Sequence, residues 1–149
     1  MMRSIFMVIL VSALTMNGVL AYGATPDQAG IVKSMVGDVE ILRNEYTLKA
    51  EPNMKIYEGD VIKTGLNGKA GLILDDDTVI SMGQNSRIAI KKFMFQPNEN
   101  MLSLIAKVFR GTVSFLSGQI AKLAPNQVHI ETPYATVGIR GTHVLIQVD

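Results

Sequence analysis

The sequence contains no cysteine and no tryptophan. The first absence excludes disulfides, thiolate metal sites and a lipid-modified cysteine behind a leader, so the core stands on packing alone. The second removes the largest aromatic ring with which an all-β surface stacks on sugars, and tyrosine is scarce as well, with four in the chain. A surplus of either charge is also missing. Fourteen Lys and Arg face thirteen Asp and Glu, a formal charge of +1. A general nucleic-acid binder needs a cationic surplus to displace counterions, so that class is excluded. What is present is core material. The 149 residues are 48% hydrophobic and 18% charged, enough for one modest domain and unlike a disordered tail.

The first residues form a separate unit. Arg3 gives a basic start, Ile5 to Leu14 ("IFMVILVSAL") is apolar apart from Ser12, and small residues follow at Ala21, Gly23 and Ala24. This is the three-part layout of a secretory signal peptide. Val19 and Ala21 suggest cleavage after Ala21, and Ala21 and Gly23 suggest cleavage after Gly23. A retained anchor is the rival reading. The stretch 5–21 falls short of the ~20 residues a bilayer span needs, and it holds Ser12, Thr15, Asn17 and Gly18. A signal peptide over 1–23 is therefore expected, with no stable membrane span after its removal. Arg3 is the only charge lost with it.

From Gly30 onward, short runs of Val, Ile, Leu and Thr alternate with Gly, Asp and Asn clusters. This texture predicts an all-β fold. It is read as a single domain over 30–149, built from short, mostly antiparallel strands in a sandwich-like, barrel-like or rolled sheet. Strands are expected near 31–36, 38–43, 60–63, 69–74, 78–82, 87–95, 101–108, 112–116, 127–131 and 142–148. The clearest hairpin is Lys69 to Leu74 and Thr78 to Met82 around Asp75-Asp76-Asp77, since aspartate bonds its own downstream amides in turns. A second hairpin is expected to turn at Phe109-Arg110-Gly111. In the run 87–93, Ile88, Ile90 and Lys92 are expected on one face and Arg87, Ala89, Lys91 and Phe93 on the other. At most one short helix fits, near 118–124, where Ile120, Leu123 and Ala124 have helical spacing before Pro125.

Candidate chemistry is sparse. The aspartate trio lacks the alternate spacing and closing glutamate of an EF-hand loop, and returns directly to a strand, so it reads as a turn. His129 and His143 stand far apart, each among apolar neighbours, without a second ligand at metal spacing. No serine lies in a G-x-S-x-G elbow. Lys91 and Lys92 before Phe93 and Phe95 read as a solvated edge rather than a nucleic-acid platform. The segment Thr132 to Thr142, "TPYATVGIRGT", sets Arg140 between Gly138 and Gly141. It lacks the Lys-Ser/Thr and helix of a phosphate-binding loop. No metal or cofactor is expected, and no enzyme.

Several stretches together carry a resemblance. They are "GDVEILR" (Gly37 to Arg43), "YEGDVIKTGLNGKAGLILDDDTVISMGQNSRIAI" (Tyr57 to Ile90), "FRGTVSF" (Phe109 to Phe115) and "VHIETPYATVGIRGTHVLI" (Val128 to Ile146). In order and spacing they resemble the FecR domain, named for the ferric-citrate uptake regulator, from about Gly30 onward. Two departures stand out. Asp77 occupies the place where the family hairpin has glycine. And a leader takes the place of the cytoplasmic segment and membrane span of the regulator proper, so sigma-factor regulation is not carried over.

The resemblance implies a periplasmic or secreted module of a Gram-negative-type bacterium. It would bind an envelope protein, such as a sensor, transporter or receptor, or transmit a signal without catalysis. A cell-wall or glycan-binding β module is the alternative. Gly59, Asp60, Gly138, Arg140, Gly141 and Thr142 are the candidate structural or interaction residues. Arg140 is expected to lock the fold with its five-donor fork, with Asp60 as its partner. On that expectation, Arg140→Lys lowers thermal stability.

Overall fold

The computed structural model describes residues 26–149; the leader expected over 1–23 lies outside the described residues. The alternation of apolar and polar side chains folds, as expected, into a curled, mostly antiparallel sheet with one short helix. The strands are β1 (Gln28–Val36), β2 (Val39–Arg43), β3 (Tyr46–Lys49), β4 (Lys55–Tyr57), β5 (Val61–Thr64), β6 (Lys69–Leu74), β7 (Val79–Met82), β8 (Arg87–Gln96), β9 (Met101–Leu116), β10 (Val128–Glu131), β11 (Thr136–Gly138) and β12 (His143–Val148). Helix α1 spans Gln119–Leu123.

The sheet has two halves that share β9. One runs β4-β1-β6-β7-β9-β12, and the other runs β3-β2-β5-β8-β9-β10-β11. Residues 101–110 of β9 pair with β8, and residues 111–116 pair with β7 and β12. The expected hairpin at Phe109-Arg110-Gly111 is therefore replaced by one continuous strand of 16 residues. Gly111 has φ +94°, and just before it the register slips between Arg87 and Ile88, which leaves Phe109 as the extra residue on β9. A glycine in the left-handed region can bulge and bend a strand without reversing it. A Cβ on Gly111 would collide with the backbone and hydroxyl of Ser86. The bend thus carries β9 from one half of the sheet into the other.

A second bulge revises the face assignment in β8. The register shifts between Ile90 and Lys92, so Phe93 joins Ile88 and Ile90 in the core while Lys91 and Lys92 both face solvent. The short strands β3, β4 and β11 were not among those expected; β3, β4 and β11 each lie at an edge of the sheet.

The core lies between the inner faces of the two halves. Val32, Leu72, Ile80, Val113 and Phe115 from one half meet Ile41, Ile62, Ile88, Ile90, Leu104 and Ile130 from the other. Each such side chain contributes roughly 1.5–3 kcal/mol through burial.

Helix α1 belongs to the crossover that makes β10 parallel to β9, as a parallel pair requires. Its Ile120 is fully buried. The aspartate turn holds it in place. The buried Asp76 carboxylate accepts from Thr78 N (3.1 Å), Thr78 Oγ1 (2.9 Å) and Ile120 N (3.1 Å). Its carbonyl accepts from Gln119 N at 2.7 Å. The trio is a turn, as expected, and also caps the start of α1 from outside the helix. Asp77 takes φ +68°, the conformation that glycine adopts at no steric cost.

Candidate interaction site

The two segments that stood out in the sequence occupy opposite environments. In the first, Glu58-Gly59-Asp60, both carboxylates and all three backbone N–H groups are bonded. The Glu58 carboxylate accepts from Phe93 N at 3.0 Å. Gly59 has φ +90° and its N–H donates to the Ile90 carbonyl at 2.7 Å. Asp60 is 1% exposed, and its partner is Arg43. Nε donates to Oδ1 at 2.8 Å and Nη2 to Oδ2 at 2.7 Å. Nη2 also donates to the Lys55 carbonyl at 3.0 Å, and Tyr57 N donates to Oδ2 at 2.9 Å. The guanidinium stacks 4.6 Å from the centre of the Tyr57 ring. Its pKa is raised by the hydrogen bond to Asp60, with burial opposing.

The expected Arg140–Asp60 pair is thus corrected. The β2–β5 register places Leu42 opposite Val61, so one step further the antiparallel ladder sets Arg43 opposite Asp60. Arg140 lies some eighty positions further along the chain, on another edge. The signal that would have found Arg43 was in the sequence: a fork-shaped cation closing an apolar strand, inside one of the stretches that carries the resemblance.

The second segment, 132–142, links β10 to β12 and is largely exposed. The Thr132 hydroxyl accepts from Ala135 N at 3.0 Å and donates to the Ala135 carbonyl at 3.1 Å, closing a turn around Pro133 and Tyr134. Tyr134 is 84% exposed. Ile139 is buried, and Ser117 holds the far end through the Gly141 and Thr142 carbonyls. Between these anchors Arg140 is exposed, with no ion pair among the described residues. Nothing lies within 4 Å of a Cβ built on Gly138 or Gly141. Of the residues expected to act together, Gly59 and Asp60 sit in the buried clamp, while Gly138 ends β11 and Arg140, Gly141 and Thr142 follow it on this exposed segment.

Residues 60–149 match the family model described as FecR protein. The chain belongs to the FecR family. No curated protein and no solved structure matches it. FecR proteins form a regulatory, envelope-associated family linked to signal transduction. The matched part of this FecR chain begins at Asp60 and takes in β5 to β12; Arg43 lies outside it. No helix among the described residues is long and apolar enough to cross a membrane.

One contact was not anticipated. Ser114 Oγ and His143 Nε2 lie 2.7 Å apart on the exposed face of β9 and β12. Among the described residues no carboxylate bonds His143, so the third group that would orient a catalytic base is not supplied here. His129 sits half-buried on β10.

Proposed function

We propose that this FecR-family chain is a non-catalytic module of the bacterial envelope that binds another envelope protein and passes a signal to it or from it. In this reading the leader over 1–23 is removed and the domain over 30–149 works in the periplasm or outside the cell. The observation that carries it is the exposure of Thr132 to Thr142. This segment lies within the family match, yet it spends Tyr134, Arg140 and two glycines on solvent rather than on the core. Exposed arginine and tyrosine side chains on one segment are of the types enriched at protein–protein contact centres.

The test is site-specific photo-crosslinking in the producing cell. A photoreactive residue at Tyr134 or Arg140 is expected to yield a discrete adduct with an envelope protein, and one at Lys33 none. Absence of any discrete adduct from both segment positions would sink the reading.

A glycan-binding module is the second reading, favoured by the exposure of Tyr46 (72%) and Tyr134 (84%). These rings stand at opposite edges of the second half-sheet, and Tyr57 is already occupied by Arg43. Sedimentation with purified cell wall decides between the two readings.

A further inference from the structure

A different surface concentrates positive charge. On the outer face of the second half-sheet, the register sets Glu40 opposite Lys63, Lys63 opposite Arg87, and Arg87 opposite Arg110. The residues between them, Ile41, Ile62, Ile88 and Val108, are buried, so the charged chains face outward. Lys107 belongs to the same face. Arg87 and Lys107 both lie against the Phe109 ring, 5.1 Å and 5.0 Å from its centre. Lys63, Arg87, Lys107 and Arg110 form no ion pair among the described residues.

This arrangement works against the stability of the fold. Like charges directly opposite on neighbouring strands are destabilising, and strands lie only about 4.8 Å apart. In a chain whose formal charge is +1, such a concentration is local, not a by-product of composition. It is also bounded. Glu40 on β2 closes one side, and Glu131 on β10, opposite Lys107 and bonded to Lys91 at 2.8 Å, closes the other. A planar anionic membrane pressed on this face would meet both carboxylates. A single anionic strand fits between them.

We propose that Lys63, Arg87, Lys107 and Arg110 form a docking stripe for an acidic, extended polypeptide segment of a partner protein. The segment lies across β5, β8 and β9, with its carboxylates on the cations and its apolar groups on Phe109. This stripe is a surface distinct from the 132–142 segment.

The experiment uses the full chain and a fluorescent peptide of alternating glutamate and serine, with a glutamine–serine peptide as neutral counterpart. Binding is read by anisotropy at low and at physiological salt. The unaltered chain is expected to bind the acidic peptide alone, more weakly as salt rises. Arg87→Gln with Arg110→Gln should weaken binding about tenfold or more. Lys33→Gln with Lys122→Gln, an equal loss of charge elsewhere, should weaken it less than about twofold. Arg140→Ala should leave it unchanged, which separates this stripe from the segment tested by crosslinking. If the arginine pair melts early by circular dichroism, Lys63→Gln with Lys107→Gln makes the same test.

Three results each overturn the proposal. One is no binding by the unaltered chain. Another is equal weakening by both charge-matched double variants. The third is tighter binding to phosphatidylglycerol vesicles with the same dependence on Arg87 and Arg110.

Discussion

Glu58-Gly59-Asp60 and Thr132–Thr142 look alike as sequence: glycine beside a charged residue within a run of strand formers. In the structure they differ completely. The first is a clamp in which the carboxylate of Asp60 has three donors, two on the Arg43 guanidinium and one on the Tyr57 backbone. The second is an exposed segment, pinned at its two ends and by the pairing of β11 with β10, with its polar groups outward. Motif specificity therefore separates into two physical causes. One segment is constrained by what must be satisfied inside, and the other is free of such constraint and open to whatever binds outside.

The sharpest way to break this contrast is to remove one charge from each. Asp60→Ala strands the half-buried Arg43 guanidinium and leaves Tyr57 N without its acceptor, and is expected to cost about 3 kcal/mol in urea unfolding. Arg140→Ala is expected to stay within about 0.5 kcal/mol of the parent, and Arg140→Lys to leave the melting temperature unchanged. A large loss from Arg140→Ala would erase the distinction.

Glycine gives the next comparison. Gly111→Ala meets Ser86 in a left-handed backbone and should cost about 2 kcal/mol. Gly138→Ala enters open space and should cost less than about 0.5 kcal/mol. Asp77→Gly, the departure from the family hairpin, should stabilise by about 0.5 kcal/mol by relieving the φ of +68°. Its bond from Gln119 is exposed and offsets little.

The smallest effect tests the border of the open segment. The hydrogen bond and charge of Lys91 hold the Glu131 carboxyl below its ordinary pKa. A carboxyl with a depressed folded pKa contributes stability above its unfolded value and loses it as pH falls through the folded one. The slight extra acid sensitivity this gives the parent below the ordinary carboxylate range should disappear in Glu131→Gln, as read from melting curves against pH.

Much of this could be read in the residues. The Lys69–Met82 hairpin, the aspartate turn and the 119–123 helix follow from turn chemistry and spacing, which act over a few positions. The misreadings share a cause. Gly111 marks a bend as readily as a reversal, and only its tertiary neighbours, Ser86 and β12, decide which. Lys91 is a bulge because β9 offers one residue to two. Arg43 meets Asp60 through a strand register, and register is set by the whole sheet. The edge strands β3, β4 and β11 are three or four residues long, too short for alternation to show.

The shared strand has a mechanical meaning. Because β9 is one covalent ribbon pairing with β8, β10, β7 and β12, the two halves of the sheet are joined by an unbroken backbone. A tug applied at β12 is delivered along a backbone, not through side-chain contacts, to the hairpin tip near Asn100 at the other end. Amides near Gly111 should then be among the last to exchange with deuterium, released only when the whole domain comes apart.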